Sequence, residues 1–407
     1  MIPTCSLFHK TEFCAEPNLP DRIKPEIINF VRSSKMQNIQ PMHHLVSWLL
    51  SRRIYIQVVL FAMGQIYQSQ GLVVLPENVT VPAVFMFGDS IVDTGNNNHL
   101  KTVVRSNFPP YGRDFMGGRA TGRFSDGKIP ADLLVEEFGI KEVLPAFLDP
   151  SLTPEELPTG VNFASSGAGF DPLTSKLFSV ISMSEQLRLF SEYKGQLKNL
   201  VGVTRADEIV ANSMYLVASG SNDLAELYFH TPLQIPKYDI HSYTDLLITS
   251  ASAFFQGLYK LGARRIAALG LEPLGCLPSQ RTLSGGPNRV CVEHFNDAAK
   301  MFNSKLLSTM QVLRTTLPQV RFAYADGYGA LMDIIRAPHE YGFDIVDRGC
   351  CGTGLVEVAF MCNRWIPGTC SNVSRYLFWD SYHPTERAYR IIFQKLIGKL
   401  VQDMFQQ

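Results

Sequence analysis

The sequence predicts an α/β fold, a three-layer α/β/α sandwich around a central parallel sheet. Three observations lead there. From Pro82 onward, short unbroken apolar runs alternate with longer stretches of helical character. The apolar runs lack the in–out alternation of a half-exposed strand, so both faces of their sheet must be covered. A hydrophobic fraction of 46% in 407 residues is ample for one large core.

Taken in order, residues 1–41 have no apolar periodicity and read as an unstructured leader. Met36 or Met42 is a more natural start, so an over-extended gene model is expected here. Residues 42–71 read as a signal-peptide region. Arg52 and Arg53 precede an apolar run over 54–63, and Gln65, Gln68, Ser69 and Gln70 follow it. A positive flank and a short apolar run have the shape of a secretory signal. The run falls short of the roughly 20 residues a membrane-spanning helix needs. It starts unusually far into the chain, and no small-x-small cleavage site follows it.

Residues 82–407 read as a single domain. Strands are expected at 83–87, 214–218, 265–270 and 320–325, and helices near 176–197, 241–261 and 291–316. A last helix is expected over 384–404, where Ala388, Ile391, Ile392, Leu396, Leu400, Val401 and Met404 recur at near-helical spacing. Pro384 suits its first turn. Segments 105–130 and 271–290 are rich in Gly and Pro and read as long loops that shape a cleft.

Lys plus Arg and Asp plus Glu balance at 37 each, with no basic run. Nothing electrostatic therefore favours nucleic acid or an anionic membrane as partner. The chain lacks a C-x-x-C pair, an H-E-x-x-H motif and a phosphate-cradling Gly-rich loop with its lysine, so neither metal nor cofactor is expected. Cys276, Cys291, Cys350, Cys351, Cys362 and Cys370 cluster in the second half, apart from Cys5 and Cys14. An even set in loop-like sequence suits disulfides in an oxidising compartment. Cys276 with Cys291 and a local set among the other four is the expected pairing. The sequons at Asn78 and Asn372 agree with secretion.

Ligands of open α/β sheets bind beyond the carboxyl ends of the strands. Two polar clusters sit there. One is Phe87-Gly-Asp-Ser-Ile-Val-Asp-Thr-Gly-Asn-Asn-Asn98, and the other is Gly220-Ser-Asn-Asp223. A serine just past a glycine at a strand end has an exposed hydroxyl and nearby backbone N–H groups, the needs of a nucleophile that makes an oxyanion. The plain alternative is a turn in which Asp89 and Ser90 cap a helix. A third cluster, Phe378-Trp-Asp-Ser-Tyr-His383, precedes the last helix. It supplies a histidine base and, three residues earlier, a carboxylate to orient it.

These residues resemble the plant GDSL esterase/lipases of the SGNH hydrolase superfamily, with the extracellular-lipase branch nearest. The resemblance covers nearly everything from Pro82 on, with the signature blocks in order. It implies a flavodoxin-like hydrolase domain over 82–407, with Ser90 as nucleophile, Asp380 as acid and His383 as base. Gly160-Val-Asn-Phe-Ala-Ser-Ser-Gly-Ala-Gly169 is the second block. In it Gly167 matches an oxyanion-hole glycine, and Asn222 matches the oxyanion-hole amide beside the Ser90 N–H. The stretches 121–128 and 270–278 also look like this family. Ser166 departs from the family's usual Gly-Gly and bears on the loop presenting the Gly167 N–H.

The expected activity is cleavage of carboxylic, acyl- or lipid-type esters by a protein secreted to the cell wall or apoplast. Its partner is a small-molecule or lipid ester. An acyltransferase using the same triad is the runner-up. A non-catalytic binding protein of the cell wall or pollen surface is the third reading.

Overall fold

The computed structural model describes residues 75–76 and 79–405. The expected leader and signal region, Cys5, Cys14 and the sequon residue Asn78 lie outside them.

Strand β1 (Val84–Gly88) is buried at every position, as its unbroken apolar sequence requires. Helices α1 (Pro130–Glu137), α2 (Pro172–Phe178), α3 (Met183–Val201) and α4 (Val203–Asn212) follow, and then β2 (Met214–Ala218). Next come α5 (Ile240–Lys260), β3 (Arg265–Leu269), α6 (Pro278–Ser284), α7 (Glu293–Thr316) and β4 (Arg321–Ala325). The chain continues through α8 (Gly327–Arg336), β5 (Ile345–Gly349), β6 (Tyr376–Phe378) and α9 (Glu386–Phe405).

Strands β1 to β4 form a parallel sheet in that order. The two faces of each strand feed two cores. Phe85, Phe87, Tyr215, Val217, Ile266 and Ala268 pack with residues of α3, α5 and α7 on one side. Val84, Met86, Met214, Leu216 and Ala267 pack with α1 and α9 on the other. This is the expected three-layer sandwich. A fully buried Phe or Leu contributes about 1.5–3 kcal/mol, so these two cores hold the sheet with little help from its edges.

A fifth segment runs along the free edge of β1. Phe163 N–H donates to Met86 O (2.8 Å) and Ser165 N–H to Gly88 O (3.0 Å), a parallel ladder that carries the second signature block. Phe163 also stacks on Phe87, with ring centres 5.1 Å apart. Strand order thus reverses at β1, and in doubly wound sheets the ligand crevice opens at that reversal.

Three boundaries differ from expectation. The helix expected over 176–197 is broken: Ser179 takes a left-handed φ of 55°, and α3 starts afresh where Ser182 Oγ accepts the Glu185 N–H. The last helix starts at Glu386, because Thr385 Oγ1 accepts the Ala388 N–H while Pro384 bridges to Phe378. The expected loop 271–290 contains α6, with Pro278 opening its first turn. Cys276–Cys291, Cys350–Cys370 and Cys351–Cys362 are disulfides, the pairing pattern expected.

Candidate active site

Gly88 ends β1 with φ 127°, and a Cβ there would lie 1.8 Å from the carbonyl oxygen of Ala218. Only glycine lets the two strand ends approach this closely. The next two residues, Asp89 and Ser90, therefore leave the sheet at the reversal point.

His383 arrives from the opposite end of the domain. Its Nε2 lies 2.8 Å from Ser90 Oγ, and its Nδ1 lies 2.8 Å from each oxygen of Asp380. The three-residue spacing has a local cause. Asp380 Oδ1 accepts the N–H groups of Tyr382 (2.9 Å) and His383 (2.8 Å), an Asx-type turn that folds the imidazole back over the carboxylate. Asp380 is fully buried and His383 is 4% exposed. Phe124 packs against the imidazole at 4.8 Å between ring centres.

Ser90, His383, Gly167 and Asn222 line one cavity of about 440 Å³. Gly167 has φ 86°, and a Cβ there would press on Phe178 at 3.3 Å. Among the described residues, the N–H groups of Ser90 and Gly167 meet no acceptor. Asn222 spends one amide hydrogen on Ala168 O (3.0 Å), and the second is left for a ligand. The structure thus brings all five sequence-predicted residues together. A family model for GDSL-like lipase/acylhydrolase matches residues 84–396, the span that carries them. The chain belongs to that family.

Two curated relatives from Arabidopsis thaliana show how close the likeness is. GDSL esterase/lipase EXL3 is 53% identical over 327 residues, 80% of this chain and 90% of the relative. GDSL esterase/lipase EXL2 is 47% identical over 347 residues, 82% of this chain and 92% of the relative. Membership makes the protein a GDSL-type carboxylic ester hydrolase.

The rest of the GDSL signature is scaffolding. Asp93 is fully buried, and its Oδ1 accepts the N–H groups of Gly95 (2.8 Å) and Asn96 (2.9 Å). Its Oδ2 accepts the Ser166 N–H (2.9 Å) and hydroxyl (2.7 Å). The departure at Ser166 is therefore a tether that pins the loop before Gly167 to the segment that carries Ser90. Asn96 and Asn97 donate to the carbonyls of Asn162, Ala164 and Ser166 and tie the same two blocks together.

Asp223 closes the other side of this loop, accepting the N–H groups of Phe170 (2.7 Å) and Asp171 (3.1 Å) and the Thr174 hydroxyl. Burial pushes it up to about 7, against those donors. An unfolded Asp ionises near ~4. Between these values the folded protein keeps a proton that the unfolded chain has released. The group's favourable contribution is therefore complete below ~4 and is lost as pH rises through about 7. Melting temperature is expected to fall between about pH 4 and pH 7 more steeply in wild type than in Asp223→Asn. Equal slopes would exclude this origin.

Sequence reasoning missed Tyr111. Its hydroxyl donates to Asp380 Oδ2 (2.8 Å) and accepts the Ala359 N–H (2.9 Å). Burial and the Asp380 charge push the phenol well above its usual range, so it stays protonated and donating. Ala359 sits in the loop closed by Cys351–Cys362. The N–H groups of Cys350 and Cys351 in turn donate to Phe378 O (3.0 Å) and Trp379 O (2.8 Å), just ahead of Asp380. The family-like stretch 121–128 clamps the His383 segment from another direction. Ser125 Oγ donates to Pro384 O (3.0 Å), and Asp126 Oδ1 accepts the Glu386 N–H (2.9 Å). Arg123 anchors that stretch through a bidentate pair with buried Asp132, both bonds 2.7 Å.

Asn372 is exposed, with Oδ1 accepting from Ser374. No helix among the described residues is long and apolar enough to cross a membrane.

Proposed function

We propose that the protein is a secreted serine hydrolase that cleaves carboxylic esters through an acyl-enzyme on Ser90. The observation that carries this is the contact chain Ser90 Oγ to His383 Nε2, and His383 Nδ1 to Asp380, each 2.8 Å. His383 takes the hydroxyl proton as Ser90 Oγ bonds to the ester carbonyl carbon, and Asp380 holds the imidazole in the tautomer this needs. The oxyanion is met by the N–H groups of Ser90 and Gly167 and by the free Asn222 amide hydrogen. Collapse breaks the bond to the alcohol, which leaves with the proton from His383. Water then repeats the sequence on the acyl-enzyme and releases the acid.

Tyr111 acts in this scheme as a positioning residue, fixing Asp380 through its Oδ2. Tyr111→Phe is expected to lower kcat about tenfold with KM within about twofold, since hydrogen bonds to charged groups contribute ~1.5–3 kcal/mol. An unchanged kcat in the folded variant would remove Tyr111 from the scheme.

Residues 82–407 form the hydrolase domain in this reading, 42–71 the secretory signal and 1–41 a leader. The three disulfides and the exposed sequon residue Asn372 support export to the cell wall or apoplast. Asn78 is the second glycosylation candidate. The partner is a small-molecule or lipid ester, not nucleic acid. The test is hydrolysis of p-nitrophenyl esters from acetate to palmitate by protein made through a secretory route. Release of p-nitrophenol is expected, with a chain-length optimum set by the apolar part of the cleft. Folded protein that cleaves none of the series would overturn the proposal.

A further inference from the structure

The cleft around Ser90 is lined by two chemically different sets of side chains. One is apolar, built from Val104, Phe178, Leu283, Val356, Val358 and Met361. The other presents carboxyl groups: Glu226 and Glu272, both half-buried, and Asp89, 1% exposed. Among the described residues lining the cleft there is no Lys or Arg. An ester has two halves, and the cleft has two matching environments.

Asp89 carries the case furthest. Its Oδ1 accepts the Ile91 N–H (3.1 Å), but its buried Oδ2 meets no donor. A buried polar atom left unpaired is unfavourable, and Asp89 itself lines the cleft. Glu272 Oε2 accepts from the Ser221 hydroxyl (3.1 Å). Glu226 Oε1 accepts from the Tyr382 hydroxyl, which itself accepts from Gln280 (3.1 Å).

Burial pushes all three carboxyls above their usual range, and the Glu272 charge raises Asp89 further. A carboxyl that keeps its proton both donates and accepts, as an alcohol hydroxyl does. One that has lost it repels an anion in a confined cleft. Glu272 also stands close enough to His383 to feel its charge. In the scheme above His383 delivers the proton to the leaving alcohol, so the alcohol half of the ester lies on the acidic side.

We propose that Asp89, Glu226 and Glu272 form an alcohol-side subsite that selects esters of uncharged, hydroxyl-rich alcohols with apolar acids and rejects esters bearing an anionic group. This inference rests on the serine-esterase reading.

The test compares three butyrate esters of similar size: 1-butyrylglycerol, propyl butyrate and the butyryl ester of glyceric acid. Wild type is expected to favour the glycerol ester by about tenfold in kcat/KM over each of the others, because a site built around hydroxyl partners discriminates against analogues lacking them. Glu226→Met and Glu272→Met should bring the glycerol-to-propyl ratio toward one. Glu226→Gln and Glu272→Gln keep donor and acceptor, so they should retain that ratio while relaxing exclusion of the glycerate ester. Each readout is a ratio within one protein preparation, so a partly unfolded variant does not distort it. A wild-type glycerol-to-propyl ratio within about twofold of one, or a ratio unmoved in both Met variants, overturns the subsite while p-nitrophenyl butyrate is still cleaved. Cleavage of no ester at all, p-nitrophenyl butyrate included, overturns the esterase reading and the subsite with it.

Discussion

Ser90→Ala is expected to lower kcat about 10⁶-fold while leaving the fold intact, the size of loss seen when the nucleophile of a serine triad is removed. The fold should survive because the Ser90 side chain makes one hydrogen bond, to His383 Nε2. The backbone turn is set by Gly88 and by the Asp89 N–H bond to Ala218 O (2.9 Å). Ser221 and Ser279 also line the cleft, but the Ser221 hydroxyl is committed to Glu272. Neither is hydrogen-bonded to His383 among the described residues, so neither is poised to replace Ser90. Ester cleavage by wild type and variant, beside a thermal melt of each, settles the matter. A folded variant that keeps more than about a thousandth of the activity would show that Ser90 is not the nucleophile.

Asn222→Ala is expected to cost about 10²–10³ in kcat with little change in KM. An oxyanion donor acts on charge that appears only in the transition state. The side chain also ties itself to Ala168 O, so alanine removes both a donor and a loop contact. Asn222→Asp keeps the shape, yet it too loses the bond to Ala168 O, and it adds negative charge facing the oxyanion. Both variants should be impaired, the aspartate variant no less than the alanine one. A loss below about threefold in either would take Asn222 out of the oxyanion hole.

The strands were legible because each sheet-forming run is apolar without alternation, and a strand buried on both faces leaves that mark. Residues 345–349 leave no such mark. Their sequence contains Asp347 and Arg348, Ile345 to Asp347 are only half-buried and Arg348 is exposed, and the apolar pattern does not reveal β5. Helix α6 was hidden by the surrounding Gly, Pro and Ser, which read as loop although Pro278 in fact opens a helix. The site residues were readable only as an ordered set of motifs, since each block is modest alone and Gly167 entered through the family resemblance. Tyr111 was not, since its partner lies 269 residues away and no periodicity links them. Glu226 and Glu272 escaped for the same reason. Nothing in a linear sequence distinguishes a carboxylate facing a cleft from one facing water.

The contact between Ser90 and His383 joins residues 293 positions apart, with the proposed nucleophile just past the first strand and the proposed base just ahead of the last helix. Domains are synthesised and begin to fold from the amino end. All four sheet strands emerge before His383 does, so a growing chain can assemble its sheet and still hold an unarmed serine. In the proposed scheme, ester cleavage then reports that synthesis has passed His383. A product terminated before His383 is expected to be inert towards esters, whatever fraction of its sheet survives.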